Sequence, residues 1–185
     1  MKRTYLEQEV VKEWIVIALL DLMDQKAYSD INVTDIVRKA GVPRSTFYRY
    51  FGHKDEILKK YFEYLVECLT AEFRKNRRVD FYQLIQIQFE FFENYSEYFK
   101  ALKKIHGEHI IFDRIREEIN RIPYEEKDKV YLTYQATALY AILLEWAVKD
   151  EREDISYMTD MIFHFVDLEK IKKAFPIYIN EYHQL

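Results

Sequence analysis

Apolar residues recur at three- and four-residue intervals through almost the whole chain, the spacing of one face of an α-helix. From about Leu6 to Gln25, the residues Val10, Trp14, Ile17, Ala18 and Leu22 share a stripe and predict a first helix with that stripe inward. A polar loop from Lys26 to Asp30 ends it. Val33, Ile36, Val37 and Ala40 then give a two-turn helix one buried stripe, and Asn32 with Asp35 has the chemistry of a reciprocal N-terminal cap. Gly41 stands where a helix stops in the left-handed conformation that glycine adopts cheaply. Val42 plugs the turn, and Pro43, whose φ suits a first turn, starts a third helix that runs from Arg44 to Phe51. Gly52 and His53 end that helix, and Lys54 opens a long fourth one in which Ile57, Leu58, Tyr61, Phe62, Leu65, Leu69 and Phe73 keep helical phase.

The polar run from Arg74 to Asp80 marks the best boundary, and beyond it the spacing predicts helices at about 81–94, 96–105, 108–121, 126–149 and 155–174. No strand alternation competes, so the expected fold class is all-α. Two parts are expected: residues 1–62 as a small three-helix module, with the fourth helix at 54–75 linking it to a helical domain over 63–185.

Composition narrows the class. Three Gly and three Pro in 185 residues leave little room for loop-built sites, and one cysteine, Cys68, excludes an intramolecular disulfide framework. The apolar run from Trp14 to Leu20 lies between acidic residues without a cleavage site after it, so no signal peptide is expected. Ala136 to Val148 is too short to span a bilayer and contains Glu145. A cytoplasmic location, with no membrane partner, follows as an expectation. Net charge is −4, yet residues 1–60 hold 11 Lys and Arg against 9 Asp and Glu. Within 38–60, Arg38, Lys39, Arg44, Arg49, Lys54, Lys59 and Lys60 face only Asp55 and Glu56. A basic island thus sits on an acidic protein, the charge footprint of local contact with a polyanion.

The third helix carries the informative chemistry. At about 100° per residue, Phe47 and Phe51 share one face, while Ser45 and Arg49 lie opposite, flanked by Arg44, Thr46 and Tyr48. A helix packed through two phenylalanines must present that hydroxyl, phenol and guanidinium set outward, and such groups bind phosphates and base edges in a major groove. Two short helices joined by the turn at 41–43 have helix-turn-helix spacing, with the second helix as the reader.

These residues, Asn32 to Val42, then Ser45-Thr46-Phe47-Tyr48-Arg49-Tyr50-Phe51, then Lys54 to Leu58, resemble the DNA-binding domain of the TetR family of bacterial transcriptional regulators. The resemblance covers roughly residues 10–62. It implies that Arg44, Ser45, Thr46, Tyr48, Arg49 and Tyr50 face a double-stranded operator, that Lys54 binds phosphate at the start of the fourth helix, and that Asn32 to Thr34 approach the backbone. Pro43 departs from the family's commoner serine, and His53 stands where a serine or asparagine cap usually precedes the lysine.

The resemblance also implies a homodimer on a near-palindromic site and a C-terminal domain that receives an effector. Ala138, Ala141, Leu144 and Val148 on one predicted helix, with Ile155, Met158, Ile162, Phe165 and Val166 on the next, are the stripes expected at the dimer interface. Phe89, Phe92, Phe99 and Phe112 are the expected lining of a pocket for a small apolar or aromatic effector. The implied activity is a ligand-responsive repressor; the alternative is a regulator whose C-terminal domain docks a protein partner, in the manner of a co-activator, and takes no small molecule. His106 and His109 have metal-like spacing, but beside Gly107 they read as a hydrated turn, so no metal or cofactor is expected. With no glycine-rich phosphate loop and no nucleophile elbow, an enzyme is not expected.

Overall fold

The computed structural model describes the backbone of residues 2–75, 80–121 and 123–165, with side chains over 9–73, 80–121 and 123–164. Among the described residues the chain is helical without strands: α1 (Lys2–Gln25), α2 (Val33–Ala40), α3 (Arg44–Tyr50), α4 (Asp55–Lys75), α5 (Phe81–Asn94), α6 (Ser96–Lys104), α7 (His109–Arg121), α8 (Glu126–Ala147) and α9 (Ile155–Phe165). The chain divides into two compact units, one through Leu65 and one from Val66, so the division falls inside α4.

In the first unit, α1 packs on α2 and α2 on α3. The inward face of α1 is not the one the spacing predicts. Ile15, Ala18, Leu19 and Leu22 are buried with Val16 and Met23, whereas Val10, Trp14 and Ile17 are exposed, Trp14 by 51 %. Two apolar stripes interleave on this helix, and only Ala18 and Leu22 of the predicted set turn to the core. Ile36 and Val37 of α2, Phe47 of α3, and Ile57, Leu58, Phe62 and Leu65 of α4 complete that core.

In the second unit, α5 lies against both α8 and α9, and α6 and α7 also pack on α8. Asp80 caps α5 through a reciprocal pair with Gln83, each side chain accepting the other residue's backbone N–H. Aromatic rings dominate the core. Phe89 meets Trp146 edge-on at 4.9 Å, and Phe92 stacks on Phe99 at 4.1 Å. Ile111, Ile115 and Ile119 form the buried stripe of α7. Beyond α8, the Trp146 indole donates to the Glu153 carbonyl, and Arg152 donates to the otherwise orphaned Ala147 carbonyl.

In the turn after α6, His106 takes the left-handed conformation, with φ of 54°. The Gly107 N–H then reaches the Leu102 carbonyl and the His106 N–H the Lys103 carbonyl, the paired bonds of a Schellman ending. Gly107 is needed for space: a Cβ there would sit 2.9 Å from Leu102 Cδ2.

Candidate nucleic-acid interface

The start of α2 is built by its cap. Asn32 Oδ1 accepts the Asp35 N–H at 3.0 Å, and Asp35 Oδ2 accepts the Asn32 N–H at 3.3 Å. Asp35 also receives Lys26 at 2.6 Å and Arg38 at 3.0 Å. The Lys26 bond, with help from the Asn32 N–H, holds the Asp35 carboxyl below the ordinary aspartate range. Thr34, on the first turn, is exposed.

Gly41 ends α2 at φ of 67°, as its position predicts, and the Val42 N–H closes the turn on the Val37 carbonyl at 3.1 Å. Pro43 stands one position earlier than expected. It is the N-cap of α3, with extended ψ, and its carbonyl accepts the Thr46 and Phe47 N–H groups. The helix ends at Tyr50, and Phe51 is already extended.

Sidedness in α3 follows the spacing. Phe47 is 0 % and Phe51 2 % exposed, and their rings lie 5.7 Å apart. Burying each contributes roughly 1.5–3 kcal/mol relative to leaving it in water, enough to fix which way so short a helix faces. Outward stand Arg44, Ser45, Tyr48 and Arg49, all exposed, while Thr46 and Tyr50 are half-buried at the flanks. Tyr48 is 50 % exposed and its ring meets Phe47 edge-on at 5.3 Å, so the phenol rises from a packed base. Arg44 donates to Tyr48 Oη. Tyr50 has the Lys12 ammonium 5.7 Å from its ring centroid.

Lys54 lies apart from this set. Its amine donates to the Tyr28 carbonyl at 2.6 Å and the Ile31 carbonyl at 2.8 Å, and lies 4.4 Å from the Tyr28 ring centroid. Tyr28 belongs to a 3-10 turn, Tyr28–Asp30, within the stretch the sequence marks only as polar loop. Its phenol donates to Asp55 Oδ1 at 2.7 Å; burial and that carboxylate hold the phenol well above the ordinary tyrosine range. Sequence spacing gives Lys54 a charge and a position but says nothing of these carbonyls. An aromatic residue inside a polar loop is the one signal that pointed to a built turn.

His53 does not supply the missing cap of α4. Its ring nitrogens lie 3.6 Å from Asp55 and 3.5 Å from Glu56, too far for good hydrogen bonds. Glu56 instead accepts the Gly52 N–H at 3.0 Å, which with Lys60 draws its carboxyl below the ordinary glutamate range.

Elsewhere the expected residues separate. Leu144, Met158 and Ile162 are buried inside the chain at 2 %, 6 % and 0 %. Ala138 is exposed, and Ala141 and Val148 are half-buried. The Phe165 side chain and Val166, like the remainder of the helix expected to 174, lie outside the described residues. Phe89, Phe92 and Phe99 are fully buried ring on ring, and Phe112 is half-buried. Among the described residues no cluster of three His, Cys, Asp or Glu is arranged to hold a metal ion, and no helix is long and apolar enough to cross a membrane.

Comparison with known proteins agrees with this geometry. Residues 15–61 match the family described as bacterial regulatory proteins, tetR family. Over 63 residues the chain is 38 % identical to the HTH-type dhaKLM operon transcriptional activator DhaS of Lactococcus lactis subsp. lactis (strain IL1403), covering 34 % of this chain and 32 % of that protein. The aligned stretch thus spans about a third of that relative's length. Among solved structures, the fold is similar to the dihydroxyacetone kinase operon activator DhaS, with TM-score 0.57 and 22 % identity over 89 % of this chain and 97 % of that one. It is also similar to the fatty acid degradation regulator FadR from Bacillus halodurans, with TM-score 0.56 and 17 % identity over 83 % of this chain and 96 % of that one. Residues 15–61 of this chain are thus a DNA-binding domain of the kind described as bacterial regulatory proteins, tetR family.

Proposed function

We propose that the chain is a sequence-specific DNA-binding regulator of transcription, working in the cytoplasm as a homodimer with α3 as its reading helix. One observation carries the reading: α3 buries Phe47 and Phe51 and leaves Arg44, Ser45, Tyr48 and Arg49 in solvent. Guanidinium groups read guanine bidentately, and hydroxyl and phenol groups bind phosphate. Thr46 and Tyr50 at the flanks, and Asn32 and Thr34 at the start of α2, complete the proposed contact set. Lys54 is left out of it, because its amine is already held by backbone carbonyls.

A dimer is required by the reading mechanism, since two heads must meet major grooves a helical turn apart or a multiple of it. Support for pairing comes from the outer side of α8. Leu132, Ala136, Leu139 and Leu143 face the core, while Val130, Tyr134 and Ala138, at four-residue spacing, face out, Tyr134 with 72 % exposure. An exposed apolar run of this kind is a surface suited to a partner.

For the C-terminal unit we retain the ligand-responsive repressor, in which an effector binds one of two states better and so changes the separation of the heads. A second reading, a docked protein partner and an activating outcome, is favoured by two observations. The matched relative is named an activator, and three of the rings expected to line a pocket are packed away, Phe92 on Phe99 and Phe89 on Trp146.

The test is fluorescence anisotropy with duplexes from the region upstream of its own gene and from random-site selection. Salt-sensitive, sequence-selective binding is expected. Binding indifferent to sequence in both sets rejects the reading. A thermal-shift screen with apolar and aromatic metabolites separates the two readings of the C-terminal unit, because a ligand raises the melting temperature of the state it binds.

A further inference from the structure

The last residues of α3 are gripped by the first turns of α4. Lys60 Nζ donates to the Tyr50 carbonyl at 2.8 Å and lies 2.9 Å from Glu56 Oε2, and that same oxygen accepts the Gly52 N–H at 3.0 Å. The Lys60 ammonium also sits 5.7 Å from the Phe51 ring centroid. Glu56 and Lys60 are one turn apart, so a single edge of α4 holds a carbonyl and an N–H from either side of Phe51. A helix leaves its final carbonyls without intrahelical partners, and here a charged group takes one of them up.

The two phenylalanines hold α3 by contacts that have no preferred direction. They set which face is inward but leave rotation about the contact and tilt of the rod weakly specified. Directed bonds to its terminal backbone groups remove that freedom. A reading head must be held to roughly 0.5 Å and 10–20° to keep bidentate contacts, so the direction of α3 matters as much as its face.

We propose that Glu56 and Lys60 are positioning residues for DNA reading: they clasp the C-terminal end of α3 to α4 and fix its register on the duplex without touching DNA. This rests on the assignment of α3 as the DNA-facing helix. The Lys60 ammonium is directed at a carbonyl and a carboxylate of its own chain, which distinguishes it from a cation kept for phosphate.

The test uses the full chain with Lys60→Met, Lys60→Arg and Arg49→Ala, read by anisotropy on a selected site and on a scrambled duplex over a salt series, and by amide hydrogen exchange without DNA. Lys60→Met is expected to lower the ratio of selected to scrambled affinity roughly tenfold, the worth of one charge-assisted bond, with the salt slope unchanged. Exchange over residues 44–52 should quicken while that over 81–121 stays the same, and Lys60→Arg should restore both readouts. Equal losses on both duplexes with a slope reduced by about one identify Lys60 as a phosphate contact and overturn the clasp. Unchanged exchange over 44–52 overturns it as well. If Lys60→Met does not fold, Lys60→Gln, which keeps a donor on a shorter side chain but loses the charge, is held to the same two outcomes. Arg49→Ala with wild-type selectivity would instead reject the DNA-facing assignment of α3, while the exchange result still decides the clasp.

Discussion

Arg44 and Tyr48 lie one turn apart on the outer side of α3, Arg44 Nη2 donating to Tyr48 Oη at 3.3 Å with the guanidinium carbon 5.7 Å from the ring centroid. This pair is preorganised: the phenol stands on Phe47, and the arginine is held beside it before any DNA arrives. Arg49 projects from the same side without a hydrogen bond or ion pair among the described residues. Tyr48→Ala should therefore weaken binding to all duplexes alike, since it removes a positioning contact. Arg49→Ala or Arg44→Ala should also relax preference at particular base pairs, by about 1–3 kcal/mol each. Anisotropy titrations against a panel of single-position site variants measure both. If all three variants discriminate like the parent chain, the face is misassigned.

The carbonyl grip of Lys54 predicts a stability phenotype. Lys54→Met removes the donor to the Tyr28 and Ile31 carbonyls and leaves Asp55 and Tyr28 to hold the turn alone. A loss of about 1–3 kcal/mol is expected, the cost of stranding partly buried acceptors. Chemical denaturation measures it, and the salt slope of DNA binding should not change. A slope shallower by about one would mean that the amine leaves its carbonyls for phosphate when DNA binds.

How far these features were legible depends on whether one stretch of sequence or two must be known. The α2 cap, Gly41 and the two faces of α3 were legible because each needs only residues within a few positions of one another. The inward face of α1 was not, because Val10-Trp14-Ile17 and Ile15-Leu19-Leu22 are both apolar stripes and only the position of α2 chooses between them. The carbonyl partners of Lys54 and Lys60 escaped notice for a related reason: backbone carbonyls have no sequence signature. Periodicity on α8 does not say which stripe the chain itself covers, because Ala138-Ala141-Leu144-Val148 and Leu132-Ala136-Leu139-Leu143 are both apolar runs.

His106 holds a left-handed backbone that costs a side-chain-bearing residue about 1–2 kcal/mol, against a smaller entropic penalty for glycine. His106→Gly should stabilise the protein by about 0.5–1 kcal/mol, read as a higher denaturation midpoint. Gly107→Ala should do the reverse, because its Cβ would meet Leu102 Cδ2 at 2.9 Å. Equal midpoints for both variants would show that the turn yields to either residue.

Asp35 and Glu56 make the helix-turn-helix module acid-sensitive. Both carboxyls are held below their ordinary range, Asp35 chiefly by Lys26 and Glu56 chiefly by the Gly52 N–H. A carboxyl depressed on folding contributes stability that is present above its unfolded pKa and is lost as pH falls through its folded value. Stability should thus decline as pH drops below the ordinary carboxylate range of about 4. Asp35→Asn should flatten that decline, and thermal melts from about pH 6 to about pH 3 test it. An identical pH dependence in the variant would remove Asp35 from the account.

The outer face of α8 gives the sharpest contrast between an interface and a core. Ala138 is exposed on the side that carries Val130 and Tyr134, while Leu144, further along on another side of the helix, is 2 % exposed within its own chain. Ala138→Glu puts a charge on the exposed stripe and should yield a folded monomer with near-wild-type melting but much weaker operator binding, because one head meets one half-site. Leu144→Ala should instead cost about 2–5 kcal/mol of stability as a core truncation while leaving the subunit count unchanged. Sedimentation equilibrium with parallel thermal melts distinguishes them. A dimer that survives Ala138→Glu at low protein concentration moves the interface off this face of α8, and the partner surface would then have to be sought elsewhere on the C-terminal unit.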